Sequence, residues 1–250
     1  MSREKITSRH NPLVMHVKKL LDSRSYREKC GEFAADGTKL LEEAAKWDAG
    51  LLTVIVREGV QTCTLPGSVR VAEVSEQLMR DISRMDAPQG AIFVCRLPEQ
   101  TDARVCRGSL LLDGIQDPGN LGTILRTADA LQIPVMLCEG CADAYSPKTV
   151  RASMGAVFRT RPVRIARQEA VRQCAETGVP LLAAAMSADA RDIRNAPLHE
   201  AVTVIGSEGR GVCAELLAAS DGKVIIPMDP RCESLNAATA AAIVMWQMKR

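Results

Sequence analysis

Apolar residues recur at Leu13, Val14, Val17, Leu20 and Leu21 after the pair Asn11-Pro12, a spacing that predicts a helix over 13–30 with one buried side. A second helical pattern covers 37–49. The runs LLTVIVRE and GSVRVAEV read as strands, SEQLMRDISR as a helix, and GAIFVCRL as a further strand. The polar segment PEQTDARVCRG, 98–108, has neither period and reads as a linker. Beyond it the pattern changes. The apolar runs SLLLDGI, PVMLCEG, RPVRIA, VPLLAAAM, AVTVIGSEG and GKVIIPM alternate with helical stretches over 121–131, near 149–156, over 168–177 and 214–219, and from Leu235. Apolar strand runs separated by helices imply a parallel sheet covered on both faces. The expected organisation is a small α/β domain over 1–97, a linker over 98–108, and a larger α/β domain over 109–250.

Composition narrows the class. A chain of 250 residues, 46% hydrophobic and 25% charged, can bury a sizeable core. No apolar run reaches the length of a membrane span, and the start MSREKITSRHNP lacks the apolar middle of a signal peptide, which points to the cytoplasm and no membrane. Nine scattered cysteines do not form a secreted disulfide framework. Cys138 and Cys141 share CxxC spacing but have no second pair, so no metal is expected. The net charge of +2 conceals an excess of +4 over residues 1–40 and +6 over 145–172. Two local basic stretches on a nearly neutral chain suit a polyanion such as RNA; solvated surface faces are the plainer alternative.

Ligands of such sheets bind at the carboxyl ends of the strands, and three strand ends here carry unusual loops. In DGIQDPGNLGT, Asn120 is placed to cap a helix beginning at Leu121, and Arg126 follows within that helix. Its guanidinium is a planar fork of donors suited to phosphate or carboxylate, or to an ordinary surface ion pair. In IGSEGRGV, three glycines within Gly206–Gly211 allow a close backbone approach, with Glu208 beside them. The loop has neither Walker nor dinucleotide-binding spacing. In IPMDPRCESLNAAT, Pro227 stops a strand, and Ser234 and Asn236 flank the start of an alanine-rich helix that either could cap.

The ordered set DPGNLGTILRTADA, VIGSEGRGV and IPMDPRCESLNAATAAAIVMWQ resembles the three signature motifs of the SpoU (TrmH-like) branch of the SPOUT superfamily. These are S-adenosylmethionine-dependent RNA ribose 2'-O-methyltransferases. KITSRHNPLVMHVKKL, YREKCGEFAADGTKLLEEA and APQGAIFV resemble the same family's N-terminal RNA-binding domain. The resemblance implies an α/β fold in two parts: a ribosomal-protein-like α/β RNA-binding domain, and a SPOUT domain whose parallel sheet closes into a deep trefoil knot. It implies that Gly206, Ile226, Met228 and Leu235 bind S-adenosylmethionine. It also implies a homodimer through the knotted C-terminal domain.

By the same resemblance the catalytic set is Arg126, Asn120, Glu208, Ser234 and Asn236. A ribose hydroxyl is a very weak acid, so positioning and local charge must supply most of the acceleration. A guanidinium is a poor base, so Arg126 is read as an electrostatic group beside the developing alkoxide. Asn120, Ser234 and Asn236 would orient the ribose and loop, and Glu208 would hold the loop or Arg126. The basic N-terminal segment, with Arg3, Lys5, Arg9, Lys18, Lys19, Arg24, Arg27 and Lys29, is the expected RNA face, and Tyr26 and Phe33 its candidate stacking residues. Where many family members carry a glycine, DPRCE carries Pro230. Ribosomal RNA is favoured over transfer RNA as substrate. The alternatives are a transfer-RNA ribose methyltransferase and a non-catalytic RNA-binding protein of the same fold.

Overall fold

A computed structural model describes residues 4–99, 102–229 and 231–250. Its first stretch runs β1 (Glu4–Ile6), α1 (Pro12–Asp22), α2 (Arg24–Cys30), β2 (Glu32–Asp36), α3 (Thr38–Lys46), β3 (Leu51–Arg57), β4 (Arg70–Val74), α4 (Glu76–Ile82) and β5 (Ala91–Arg96). The five strands form one mixed sheet in the order β1-β4-β3-β5-β2, with β5 antiparallel to both neighbours. Val14, Val17, Leu20 and Leu21 of α1 bury against Ile55, Ala72, Val74 and Ile92 of the sheet. The predicted helix over 13–30 is two helices. Ser23 leaves helical geometry and its Oγ accepts the Tyr26 N–H at 3.2 Å, so it caps α2 instead of continuing α1. β2, EFAAD, escapes prediction because it is short, lies between Gly31 and Gly37, and holds no β-branched residue.

The second stretch runs β6 (Ser109–Leu112), α5 (Pro118–Leu131), β7 (Val135–Leu137), α6 (Pro147–Ala152), α7 (Val157–Thr160), β8 (Val163–Arg164), α8 (Arg167–Thr177), β9 (Leu181–Ala184), β10 (Arg191–Asp192), β11 (Val202–Ile205), α9 (Ala214–Ala219), β12 (Gly222–Ile225) and α10 (Ala237–Met248). The helix expected near 149–156 is split into α6 and α7 by Met154 and Gly155, whose φ angles of 51° and 80° lie in the left-handed region.

β6 to β12 form a parallel sheet in the order β10-β12-β9-β11-β6-β7-β8. Side chains alternate across it. Leu111, Leu181, Ala183, Val202 and Val204 pack with Ala170 and Cys174 of α8 and Leu216 of α9. Leu110, Leu112 and Thr203 take the opposite face, the face of α5 and α10, which pack together. Burial on both faces explains why the central strands are so largely apolar.

Contacts divide the chain into two compact units, one of residues up to 99 with Tyr145–Arg159, the other of the remainder. The sequence boundaries assigned 145–159 to the second domain. The reason for the difference is apolar: the Phe33 ring lies 5.0 Å from Tyr145 and 6.2 Å from Phe158, and Phe158 meets Phe93 at 6.4 Å. Arg159 also pairs with Glu43 at 2.5 Å. Among the described residues, no helix is long and apolar enough to cross a membrane.

Candidate active site

Three loops leave the carboxyl ends of the second unit's central strands: after β6, after β11 and after β12. Pro118 occupies the first position of α5, where its missing N–H costs nothing, and Asp117 caps the helix by accepting the Asn120 N–H at 2.9 Å. Asn120 is therefore not the cap, and α5 begins three residues earlier than expected. Its side chain is free for other work. Asn236 caps α10, its Oδ1 accepting the N–H groups of Ala238 at 2.9 Å and Thr239 at 3.3 Å. That leaves Asn236 Nδ2 as the donor to Asn120 Oδ1, at 3.0 Å. Asn120 Nδ2 in turn donates to Glu208 Oε1 at 2.6 Å. One relay thus joins all three loops, and Glu208 holds Asn120 rather than Arg126.

The loop after β11 closes on itself. Ser207 and Gly211 exchange backbone hydrogen bonds of 3.0 and 2.9 Å, with Gly211 at φ +65°. A Cβ on Gly206 would lie 2.0 Å from the Gly211 carbonyl carbon, so only glycine fits there. Beneath the loop is a cavity of about 420 Å³ whose walls include Gly206, Glu208, Ile226, Met228, Ser234 and Leu235. Every residue expected to touch the cofactor lines it. Its apolar wall continues into Val212, Leu217 and Val224, and Gly206, Met228 and Leu235 carry backbone N–H groups without partners among the described residues. An apolar slot edged by free main-chain donors fits an adenosyl group. Ser234 is exposed and makes no hydrogen bond among the described residues.

Arg126 stands outside this cavity's wall, on the exposed side of α5 that it shares with Gly119 and Thr123. Among the described residues its guanidinium has no hydrogen bond or ion pair. The contrast with the +6 stretch is sharp, because there Arg159, Arg167 and Arg172 are paired with Glu43, Asp113 and Glu169.

Two residues near the site carried no sequence signal strong enough to single them out. Arg210 lines the cavity with an exposed guanidinium. Asp113, which directly follows β6, is 3% exposed and accepts the Cys213 N–H at 2.8 Å and Arg167 Nε at 2.7 Å. Burial works against the Arg167 charge, but the Asp113 carboxylate outweighs it and leaves the guanidinium above its ordinary pKa. Cys138 and Cys141 are buried, and burial pushes both thiols up. No cluster of three or more metal-ligating side chains is found among the described residues.

On the expected RNA face, Arg9 and Lys19 are exposed and Lys18 is half-buried, with Lys19 Nζ 5.5 Å from the centre of the Tyr26 ring. Arg27 is a correction. It is 4% exposed, and its Nη1 donates to the Leu20 carbonyl at 2.6 Å, so its charge serves the end of α1 and not RNA. Phe33 is a second correction: it is core, 1% exposed, and cannot stack on a base. Pro230 and Arg3 lie outside the described residues.

The model of the SpoU rRNA Methylase family matches residues 108–246, which is more than half of the chain. The chain belongs to the SpoU rRNA methylase family. A second model, the MRM3-like substrate binding domain, matches residues 11–92 of this SpoU methylase. It is 33% identical over 249 residues to the 23S rRNA (guanosine(2553)-2'-O)-methyltransferase RlmP of Bacillus subtilis, covering 98% of this chain and 99% of that one. It is 27% identical to the 23S rRNA (uridine(2479)-2'-O)-methyltransferase of Streptomyces viridochromogenes, over 98% and 92% of the two chains. Among solved structures, the AdoMet-bound rRNA methyltransferase of Sinorhizobium meliloti superposes with a TM-score of 0.85 at 28% identity, over 98% and 97% of the chains.

Proposed function

We propose that this SpoU methylase transfers a methyl group from S-adenosylmethionine to the ribose 2'-hydroxyl of one nucleotide in structured ribosomal RNA. The observation that carries the reading is the Glu208–Asn120–Asn236 relay. It couples the loop over the cavity to the helix that bears Arg126. Gly206, Ile226, Met228 and Leu235 would hold the cofactor, which when bound supplies an electrophilic methyl group on a sulfonium.

The chain's own task is the nucleophile. Arg126, exposed and without a partner among the described residues, is available to an RNA phosphate beside the target ribose and to the oxygen as negative charge grows on it. A guanidinium is suited to hold charge and is a poor proton acceptor. Asn120 is locked by Glu208 on one side and Asn236 on the other, so its amide is oriented before RNA arrives. Ser234, exposed at the cavity wall, orients the ribose together with these amides.

Relatives that align along the whole chain and are named as ribosomal RNA enzymes support ribosomal over transfer RNA. In this reading residues 1–97 dock the RNA, through Arg9, Lys18 and Lys19. The second unit's chain closes a trefoil knot, a reading supported by family membership and by the loops after β11 and β12 lining one cavity. The enzyme is a homodimer through α10, an apolar helix that leaves the large side chains of Ile243 and Trp246 exposed. It works in the cytoplasm, with its RNA.

The test is calorimetry with S-adenosylmethionine, followed by methyl transfer from radiolabelled donor to ribosomal RNA and nuclease mapping of the product. Saturable binding and a labelled 2'-O-methyl nucleotide are expected. Label on a base, or donor binding with no transfer to any RNA, overturns the reading.

A further inference from the structure

We infer that Asp113 is a positioning residue for the cofactor cavity, clamping both stems of the Gly206–Val212 loop while Arg167 holds its carboxylate in place. The inference rests on reading that cavity as the S-adenosylmethionine site.

The clamp is visible at both ends of the loop. The Asp113 backbone N–H donates to the carbonyl of Ile205, the residue before Gly206, at 2.9 Å. Its side-chain Oδ2 accepts the N–H of Cys213, the residue after Val212, at 2.8 Å. A single residue immediately after β6 therefore fixes where the loop leaves β11 and where it enters α9. Between those points the loop closes so tightly that Gly206 has no room for a Cβ, and it carries Glu208 over the cavity. A small shift at either stem would move the cavity wall and the Glu208 end of the relay together.

Burial explains why a second residue is needed. A carboxylate that is 3% exposed is costly unless both oxygens are satisfied. Oδ1 receives Nε and Nη2 of Arg167, each at 2.7 Å. Arg167 is held in turn by the loop after β7, donating to the Glu139 carbonyl at 3.1 Å and facing the Glu139 carboxylate at 3.6 Å. The chain of contacts Glu139, Arg167, Asp113, Cys213 runs through three strand-end loops on the carboxyl side of the sheet. Neither Asp113 nor Arg167 lines the cavity, so neither acts by touching the cofactor.

The experiment uses the full-length protein and three variants: Asp113→Asn, Arg167→Gln and Arg167→Lys. Calorimetry with S-adenosylmethionine is run beside steady-state methyl transfer. The dissociation constant is expected to rise about tenfold in Asp113→Asn, the affinity equivalent of one charge-assisted hydrogen bond. Arg167→Gln moves it the same way by less, and Arg167→Lys recovers part of that loss. The KM for the donor rises more than kcat falls. Should Asp113→Asn fail to fold, Arg167→Gln decides alone, because its side chain is 26% exposed and lies at the edge of the core. Variants that melt earlier yet bind the donor as tightly as the wild type would show that the pair only supports the fold. A wild-type protein that does not bind the donor overturns the reading of the cavity itself.

Discussion

Arg126 differs from the helical arginines around it in having no carboxylate to satisfy it among the described residues, while Arg172 on α8 is shared between Glu169 and Glu176. An exposed, unpaired guanidinium two turns from a helix start is ready for an anion. Arg126→Ala is expected to lower kcat for RNA methylation by roughly a hundredfold or more, the scale of losing one donor to a developing oxyanion. Arg126→Lys keeps the charge without the fork and should retain part of the rate. Single-turnover methylation with donor saturating measures both, and wild-type rates in the two variants would remove Arg126 from the chemistry. The residue types of the site were legible in order along the chain. The Glu208–Asn120–Asn236 relay was not, since its partners lie 88 and 116 residues apart and meet only through the strand order. Arg27 misled for a related reason: on a sequence its charge resembles that of Lys18 or Lys19, and only burial distinguishes them.

The central strands of the second unit were readable because burial on both faces keeps them largely apolar, whereas β2 and the two-residue β10 are too short to carry a period. A buried polar residue nevertheless sits within that pattern. Thr203, at the centre of β11, is fully buried and its Oγ1 has no hydrogen-bond partner among the described residues. Valine has nearly its shape without the hydroxyl, so Thr203→Val is expected to stabilise the unit by about 1 kcal/mol. Urea unfolding checks this; an unchanged midpoint would mean that the hydroxyl is satisfied in solution. In the first unit, Asp36 ends β2 with its pKa raised by burial, against the opposing Ser83 hydrogen bond and the Arg151 charge. As pH rises past the ordinary carboxylate range, the unfolded chain has already released this proton while the folded chain still holds it. Stability therefore falls through that window and stays lowered above the folded pKa. Asp36→Asn is expected to melt at a higher temperature than the wild type near neutrality, with the difference shrinking toward pH ~4. Equal differences at both pH values would rule out the titration of Asp36 as the cause.

At the scale of the molecule, a net charge of +2 is too small to hold a large polyanion unless the charge is local. Much of the local excess is already spent inside the protein, on Glu43, Asp113 and Glu169 in one stretch and on the α1 carbonyl in the other. Arg9, Lys18 and Lys19 remain as the outward-facing cations of the proposed RNA face. Aromatic residues offer little else there, because Phe33 is core and Tyr26 is already engaged by Lys19 and by His16 Nδ1 at 3.0 Å. Recognition must then lean on phosphate and shape, and affinity must fall as counterions compete. The slope of log affinity against log salt counts the phosphates neutralised, so each lysine that makes such a contact should reduce it by about one when replaced. Lys18→Gln with Lys19→Gln is expected to flatten the slope by about two. Arg27→Gln is the contrasting variant: it removes the same charge from the sequence but withdraws a buried donor from the Leu20 carbonyl, so it should lower Tm and leave the slope alone. Filter binding across a salt series separates the two outcomes, and a slope that responds to Arg27 but not to the lysines would move the RNA face elsewhere on the molecule.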